Sequence, residues 1–577
     1  MNHFSRLVGI FCIGLLAPVA HSYNYLSDSC GAINFNSGNM TFNYGDNLSS
    51  AEKLDISRAF SRLTAFSNST ITTNDNGDNN YSYGNGQNEI YLDTTHPTAQ
   101  CWVSYNTGTC NVTEADIRFG DETWVTGNTS QHLPYANGRS ILGTAVHEGG
   151  HCLGMAHENT LYNMMGSDFS HVTRNGTATY FGPGEDLSDG LIDLHGKRSG
   201  GSNTYRDVGA TVMRYDSISG QYSTHKFGVL RDSGGSLLKV VGSYEGQDVF
   251  EVTVGKTVSM ELTYENNGEQ NTETPNIGFY LSANSLISSA DTLLLTVNNF
   301  ALGRDAPLET TQSVTIPADT VPGNYFLGAF VDHQDLIAEV TNLNNVAYYP
   351  VRLVPPVPDL TVPFAGVSDS TLLPGQAFSA LAVVRNEGDA ASEASVVRYF
   401  QSSDQFYSYF TDDLIVSDSI PGLAPGAVRA SNAPTVAPAS QGVWWIFACV
   451  AVVPGEVNTD NQCSTTGAKI TVAVQPPIVS TGAVTGITAT EATLSATVNA
   501  NGGGTTLYFD WGTDNQFNNT LTYGSVGSGL SDVSVNMTLP GLTCLTTYQV
   551  RTRAVNSAGT TIGNVQEFTA ATCPGCG

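Results

Sequence analysis

One stretch of this chain concentrates the residue types best suited to chemistry: His147-Glu148-Gly149-Gly150-His151-Cys152-Leu153-Gly154-Met155-Ala156-His157, a HExxHxxGxxH pattern. Histidines at i and i+4 share one helix face, so their imidazoles can converge on a single ion. Glu148 stands beside them and can reach water at that ion without being a ligand. Gly154 permits a positive φ that turns the chain out of the helix and brings His157 back as a third ligand. Three neutral nitrogens with one open position suit a catalytic zinc, because structural zinc sites usually fill the fourth position with Cys or His. The spacing therefore predicts Zn2+ held by His147, His151 and His157, with Glu148 as the general base of a hydrolytic reaction. A HExxH pair alone arises by chance in large sequence sets; the added Gly154 and His157 are what single this one out.

These residues need elements to position them. Ser140 is a plausible cap for a helix that carries the motif. Leu54, Ile56, Ala59, Phe60, Leu63 and Phe66 recur near a 3.6-residue period after Ser49 and Ser50, predicting an amphipathic helix. Strand-like runs fall at Glu89 to Leu92 and Ala115 to Phe119, and a last short helix is expected over Leu187 to His195. Helix, strands and helix make an α+β unit that should close near Gly196. The Asn/Asp/Gly-rich stretch Thr72 to Asn88 reads as a polar loop; Asp75 and Asp78 in it are calcium-binding residue types, with a solvated turn as the favoured alternative. His171, His195 and His225 share no helix face with another histidine and are expected to be surface or packing residues. Glu158 either orients a ligand or is solvated.

The motif resembles that of the metzincin metallopeptidases, and the likeness extends to Asn163-Met164-Met165-Gly166, where Met165 has the spacing of a matrixin-like Met-turn. The resemblance implies an apolar methionine floor beneath the metal, an α+β catalytic domain, and hydrolysis of protein or peptide substrates. Ala115-Asp116-Ile117-Arg118-Phe119 resembles the edge strand that lies along the substrate, and Gly190 to Gly196 resembles the end of the last helix. Gly166 and Ser167 stand where related branches carry a tyrosine ligand, which implies a three-histidine site without a tyrosine switch. Cys30-Gly31 is similar to the latency segment of matrixins, although the rest of that pattern is missing; a disulfide from Cys30 to Cys152 is the favoured reading.

Over 577 residues the chain is long enough for roughly four domains at about 150 residues each. Residues 1–22 read as a signal peptide, with Arg6, an apolar run from Leu7 to Ala20 and an Ala20-His21-Ser22 cleavage site, so a secreted protein without stable membrane insertion is expected. In an oxidising compartment Cys101 with Cys110, Cys449 with Cys463 and Cys544 with Cys573 could pair locally, while Cys30, Cys152 and Cys576 remain to be placed. The formal charge of -29 would repel phosphate backbones and argues against nucleic acid as a partner.

Beyond Gly196 the chain repeats itself. Asn266-x-Gly268 and Glu273 recur as Asn386-x-Gly388 and Glu393, and Glu339 and Asn344 recur as Glu456 and Asn461, where a turn is favoured over a calcium site. The two segments resemble the CARDB family of bacterial cell-adhesion-related domains, which implies a bacterial source. A third segment, with Tyr508-Phe509-Asp510-Trp511-Gly512 and Thr547-Tyr548-x-Val550-Arg551, looks like a fibronectin type III domain. The expected organisation is a signal peptide at 1–22, a metzincin-like peptidase domain at 23–200, a connecting β segment at 201–247, CARDB-like sandwiches at 248–354 and 357–474, and a fibronectin-like sandwich at 477–573. The expected function is a secreted zinc endopeptidase whose C-terminal modules bind a cell surface or extracellular polymer. The alternative is a surface adhesin with a vestigial metal site.

Overall fold

The computed structural model describes residues 23–35, 39–78, 81–127, 138–166, 171–198, 205–220, 222–304 and 306–574. The predicted signal peptide, Cys576, Ser167 and the side chain of Asp78 lie outside them. The chain divides into two units, Met1–Pro355 and Pro356–Gly577.

The fold class departs from expectation. Half of the chain is strand, 7% is helix, and three helices are found among the described residues, so the expected α+β metzincin-like catalytic domain is corrected to a nearly all-β protein. The physical reason is composition. Thr, Val, Tyr and Phe recur at strand spacing and the 59 glycines break the runs into turns, whereas helical periodicity persists over three short stretches.

In the N-terminal part of the first unit, five strands (β1, Asn39–Gly45; β2, Thr70–Asp78; β3, Glu89–Leu92; β4, Gln100–Tyr105; β5, Val112–Phe119) form one sheet in the order β2-β1-β3-β5-β4. All neighbours are parallel except β4, the antiparallel edge. The strand expected at the edge, Ala115 to Phe119, is thus internal, with β3 and β4 on its two sides. Its near-continuous burial is the mark of a strand covered on both faces, which a short apolar run does not reveal by itself.

Helix α1 (Ser50–Leu63) begins with a capping box, the Ser49 hydroxyl accepting from the Glu52 amide and the Glu52 carboxylate accepting from the Ser49 amide at 2.7 Å. It buries Ile56, Ala59, Phe60 and Leu63, with Phe60 stacked on Phe42 of β1, and leaves Leu54 exposed. Helix α2 (Ile141–Cys152) carries the motif and is capped by the Ser140 hydroxyl, which accepts from the Gly143 amide. Helix α3 (Gly184–His195) ends at Gly196, whose φ of 82° closes it.

Two disulfides staple this region, and neither has the expected pairing. Cys30 joins Cys110, and Cys101 joins Cys152, with Cα separations of 5.5 and 5.8 Å. Cys101 and Cys110 are close in sequence, but the former sits at the start of β4 beside α2 while the latter lies in the turn before β5, beside the N-terminal segment. A bonded Cys30 also removes the thiolate that a latency device would need. Cys449–Cys463 and Cys544–Cys573 pair as expected.

The rest of the first unit is a sandwich. Thr257–Asn266 pairs with Val208–Thr211 and Leu230–Asp232 along one side and with Leu308–Thr315 along the other. The facing sheet has six strands, in which Gln247–Thr253 runs parallel to Val346–Val354. The segment 201–247 is therefore more than a connection: it contributes strands to both sheets and a separate hairpin, β6 (Met213–Ser219) and β7 (Tyr222–Phe227).

In the second unit, Leu360–Val367, Ala377–Asn386 and Val428–Val436 form one sheet of a sandwich opposite a five-stranded sheet, and a further sandwich follows from Ile478 onward. Most of the repeated residues keep the same duties in both copies; Glu273, buried against Arg206, differs from the exposed Glu393. Asn266 and Asn386 donate to the carbonyls of Gln270 and Ala390, Glu339 and Glu456 accept from the Val208 and Leu360 amides, and Asn344 and Asn461 donate to Asp207 and Asp359. Glu339 and Glu456 are thereby each tied to the first residue of a strand, Val208–Thr211 and Leu360–Val367. In the last sandwich the buried Tyr548 hydroxyl accepts from the Thr543 amide, and Cys544–Cys573 lies alongside.

Candidate metal centre

Along α2, Gly149 is required because α1 presses against it: a Cβ there would lie 2.8 Å from Leu63. Gly154 is required twice over, by a φ of +103° and by the carbonyl of Ile33, which would sit 2.3 Å from its Cβ. The reversal at Gly154 carries Met155 and His157 back over the helix end.

The three histidines meet as the sequence predicts. Nε2 of His151 stands 3.1 Å from Nε2 of His147 and 2.9 Å from Nε2 of His157. Nδ1 of His147 donates to the Met164 carbonyl and Nδ1 of His151 to the Met155 carbonyl, each at 2.8 Å. A carbonyl only accepts, so both rings carry their proton on Nδ1 and present an Nε2 lone pair inward. Burial reinforces this neutrality, pushing His147 well below the usual histidine range and His151 down to about 4. Inward-pointing lone pairs at such spacing repel one another unless a cation sits among them. Ligands 2.0–2.1 Å from a tetrahedral zinc stand about 3.3 Å apart, and the observed spacings fit that requirement. Among the described residues, this is the one cluster of three His, Cys, Asp or Glu ligand atoms within 4.8 Å of one another.

Glu148 is 4% exposed, and its Oε2 accepts from the Cys101 amide at 2.8 Å. Burial raises its pKa to about 7, opposed by that amide and by Arg139. Cys101, near the start of the edge strand β4, is bonded to Cys152 at the end of α2, so β4, Glu148 and α2 are tied together.

Met165 is fully buried, its sulfur 3.0 Å from where a Cβ on Gly150 would stand, so it packs against α2 at Gly150. Glu158 is buried rather than solvated. It accepts from the side chain of Asn24 and from the amides of Asn159 and Thr160, bracing the segment that bears His157. His195 donates to the Leu153 carbonyl, and His171 is hydrogen-bonded to Glu265 at 2.7 Å, so both are packing residues. Asp75 is ion-paired with Lys53. His225 is likewise a buried packing residue, while sequence reasoning missed Asn24, Arg139 and the hairpin residues Tyr222 and Ser223. None lies in a motif, and the hairpin reaches the centre only through the fold.

Fold and site together define a disulfide-stapled, multidomain β protein with one three-histidine centre. Within it, residues 239–348 are a CARDB domain, matching that family. Solved structures similar to parts of the chain include a CARDB domain from Pyrococcus furiosus in complex with di-metal ions, at 17% identity over 27% of this chain and 95% of that one, with a TM-score of 0.17. Others are the sensor domain of an anti-sigma factor from Pseudobacteroides cellulosolvens, at 22% identity over 18% and 95% with a TM-score of 0.15, and a segment of titin, at 12% identity over 60% and 99% with a TM-score of 0.21. A search of curated proteins returned no match to the chain. The four disulfides suit an exported protein, and no described helix is long and apolar enough to cross a membrane.

Proposed function

We propose that the protein is a secreted zinc-dependent endopeptidase acting on extracellular or cell-surface proteins. The convergence of three Nε2 atoms, two of them anchored through Nδ1, is the observation that carries this reading. The HExxHxxGxxH residues and Met165, which resemble those of metzincin peptidases, support it. His147, His151 and His157 would hold the metal. Bound zinc supplies a Lewis acid that polarises a carbonyl and lowers the pKa of water to roughly 7. The Cys101 amide holds Oε2 of Glu148, leaving Oε1 to take a proton from the attacking water and return it to the leaving nitrogen. Among the described residues β4 is the edge strand of the sheet, and its outer side can align an extended peptide by backbone hydrogen bonds beside Glu148. The CARDB domain and the other sandwiches would hold the enzyme on a surface or polymer, raising local substrate concentration.

The test is to purify the mature chain, measure bound zinc, and assay casein and gelatin cleavage with and without chelator and with Glu148→Ala. Loss of cleavage in Glu148→Ala with zinc retained supports the assignment. Zinc binding without cleavage of any protein would favour an adhesin that retains a metal site.

A further inference from the structure

His157 is held differently from its two partners. His147 and His151 sit on α2, whereas His157 lies on the irregular stretch 153–166, whose course depends on what packs against it. One brace is the N-terminal segment, where Asn24 donates to the His157 carbonyl at 3.2 Å and its own carbonyl accepts from the Ala156 amide. A second is the Glu158 carboxylate described above.

The third brace comes from the β6–β7 hairpin. The Ser223 amide donates to the Glu158 carbonyl at 2.9 Å, and the Asn163 side chain donates to the Ser223 hydroxyl at 3.0 Å. Gly166, directly after Met165, admits the hairpin: a Cβ there would meet the Ser223 hydroxyl oxygen at 2.6 Å and His225 at 2.7 Å. With the hairpin seated in this way, the ring of Tyr222 lies against the His157 imidazole, centroids 4.1 Å apart at 45°. Tyr222 is not a core residue. It stands at the start of β7, in a sheet of two strands, just after the turn at Gly220. The other end of the hairpin is fastened to the sandwich, where Thr263 donates to the Met213 carbonyl and Arg214 pairs with Glu309.

We propose that Tyr222 is a positioning residue of the metal centre, its ring fixing the orientation of the His157 imidazole, so that the sandwich completes the site through the hairpin. The inference rests on the zinc reading of the triad. A ligand on a loop loses affinity when its ring can swing, and neighbours that orient a ligand are worth 10–100-fold in metal binding. The hairpin lies before residue 239, outside the segment matched to the CARDB family.

The experiment uses the full mature chain with Tyr222→Ala and Tyr222→Phe, measuring zinc Kd by chelator competition and the visible absorption of the cobalt-loaded protein. Tyr222→Ala should weaken zinc about tenfold and alter the cobalt spectrum, while Tyr222→Phe, which keeps the ring, should do neither. Should Tyr222→Ala also lower the melting temperature, Tyr222→Leu, which keeps apolar bulk at the hairpin tip, is measured in its place with the same expectation. Unchanged affinity and spectrum in the variant without a ring, or equal losses with Phe, would overturn the proposal. Zinc binding without cleavage of any protein would defeat the peptidase reading while these affinities still decide the role of Tyr222. An unaltered chain that binds no zinc would defeat both.

Discussion

Removing the Cys101–Cys152 bridge by paired Cys101→Ser and Cys152→Ser substitutions should destabilise the first unit and disturb its chemistry, whereas removing Cys30–Cys110 should only destabilise. The Cys101–Cys152 bridge closes 51 residues, for which the loop-entropy relation gives about 4 kcal/mol at 25 °C. Cys30–Cys110 closes 80 residues, for which the same relation gives about 4.5 kcal/mol. By entropy alone the two double variants are nearly equal. They differ in what the bridge holds, because the amide of Cys101 is the donor that fixes Oε2 of Glu148 and β4 is the strand proposed to align substrate. Calorimetry of the first transition should therefore show similar losses, and casein cleavage at a temperature where both variants are folded should fall only for Cys101→Ser with Cys152→Ser. Non-reducing peptide mapping checks the premise. A Cys101–Cys110 linkage in that map, or a stability loss below about 1 kcal/mol for the Cys101/Cys152 variant, far less than the entropy relation requires, would refute the reasoning.

Other expectations follow from particular contacts. Gly154→Ala combines a left-handed φ with a backbone clash against Ile33, so a loss of about 3 kcal/mol or more with weakened zinc retention is expected in thermal melts and metal analysis. Arg304 pairs at 2.8 Å with the fully buried Asp189 of α3, and Arg304→Ala should cost about 3–5 kcal/mol, while Arg385→Ala at the exposed Arg385–Glu387 pair should cost less than about 1 kcal/mol; comparable losses at the two sites would contradict the burial argument. Burial raises Asp207 to about 7 despite donors from Asn267 and Asn344. A carboxyl raised on folding favours the folded state while it is protonated, so its stabilising contribution is full below the ordinary aspartate range near 4 and is lost as pH rises through about 7. Melting of Asp207→Asn between pH 4 and 8 should accordingly show less decline with pH than the unaltered chain, and an equal or steeper decline would sink the assignment.

The convergence of His147, His151 and His157 could be read in advance because its information is local. A helix places i and i+4 on one face whatever surrounds it, and a glycine three residues beyond His151 permits the reversal that returns His157. Capping at Ser49 and Ser140 is local in the same way, and so are the turn residues repeated between Asn266 and Asn386. The motif does not carry the fold class: it specifies one helix, and among the described residues strands far outnumber the three helices.

What failed was long-range. Whether Ala115 to Phe119 is an edge or an interior strand depends on which segment pairs beside it, and an apolar run carries no record of its neighbours. Disulfide partners likewise follow Cα distance rather than spacing, which is why Cys101 reaches past Cys110 to Cys152. Residue types and short periods by themselves determined the convergence of the three histidines, the helix caps and the repeated Asn turns, since each involves atoms joined by a few rotatable bonds. Only the tertiary structure decided that Cys101 would hold Glu148 and that Tyr222 would lie against His157, because those contacts form between chain segments brought together by burial of sheets and helices around a common core.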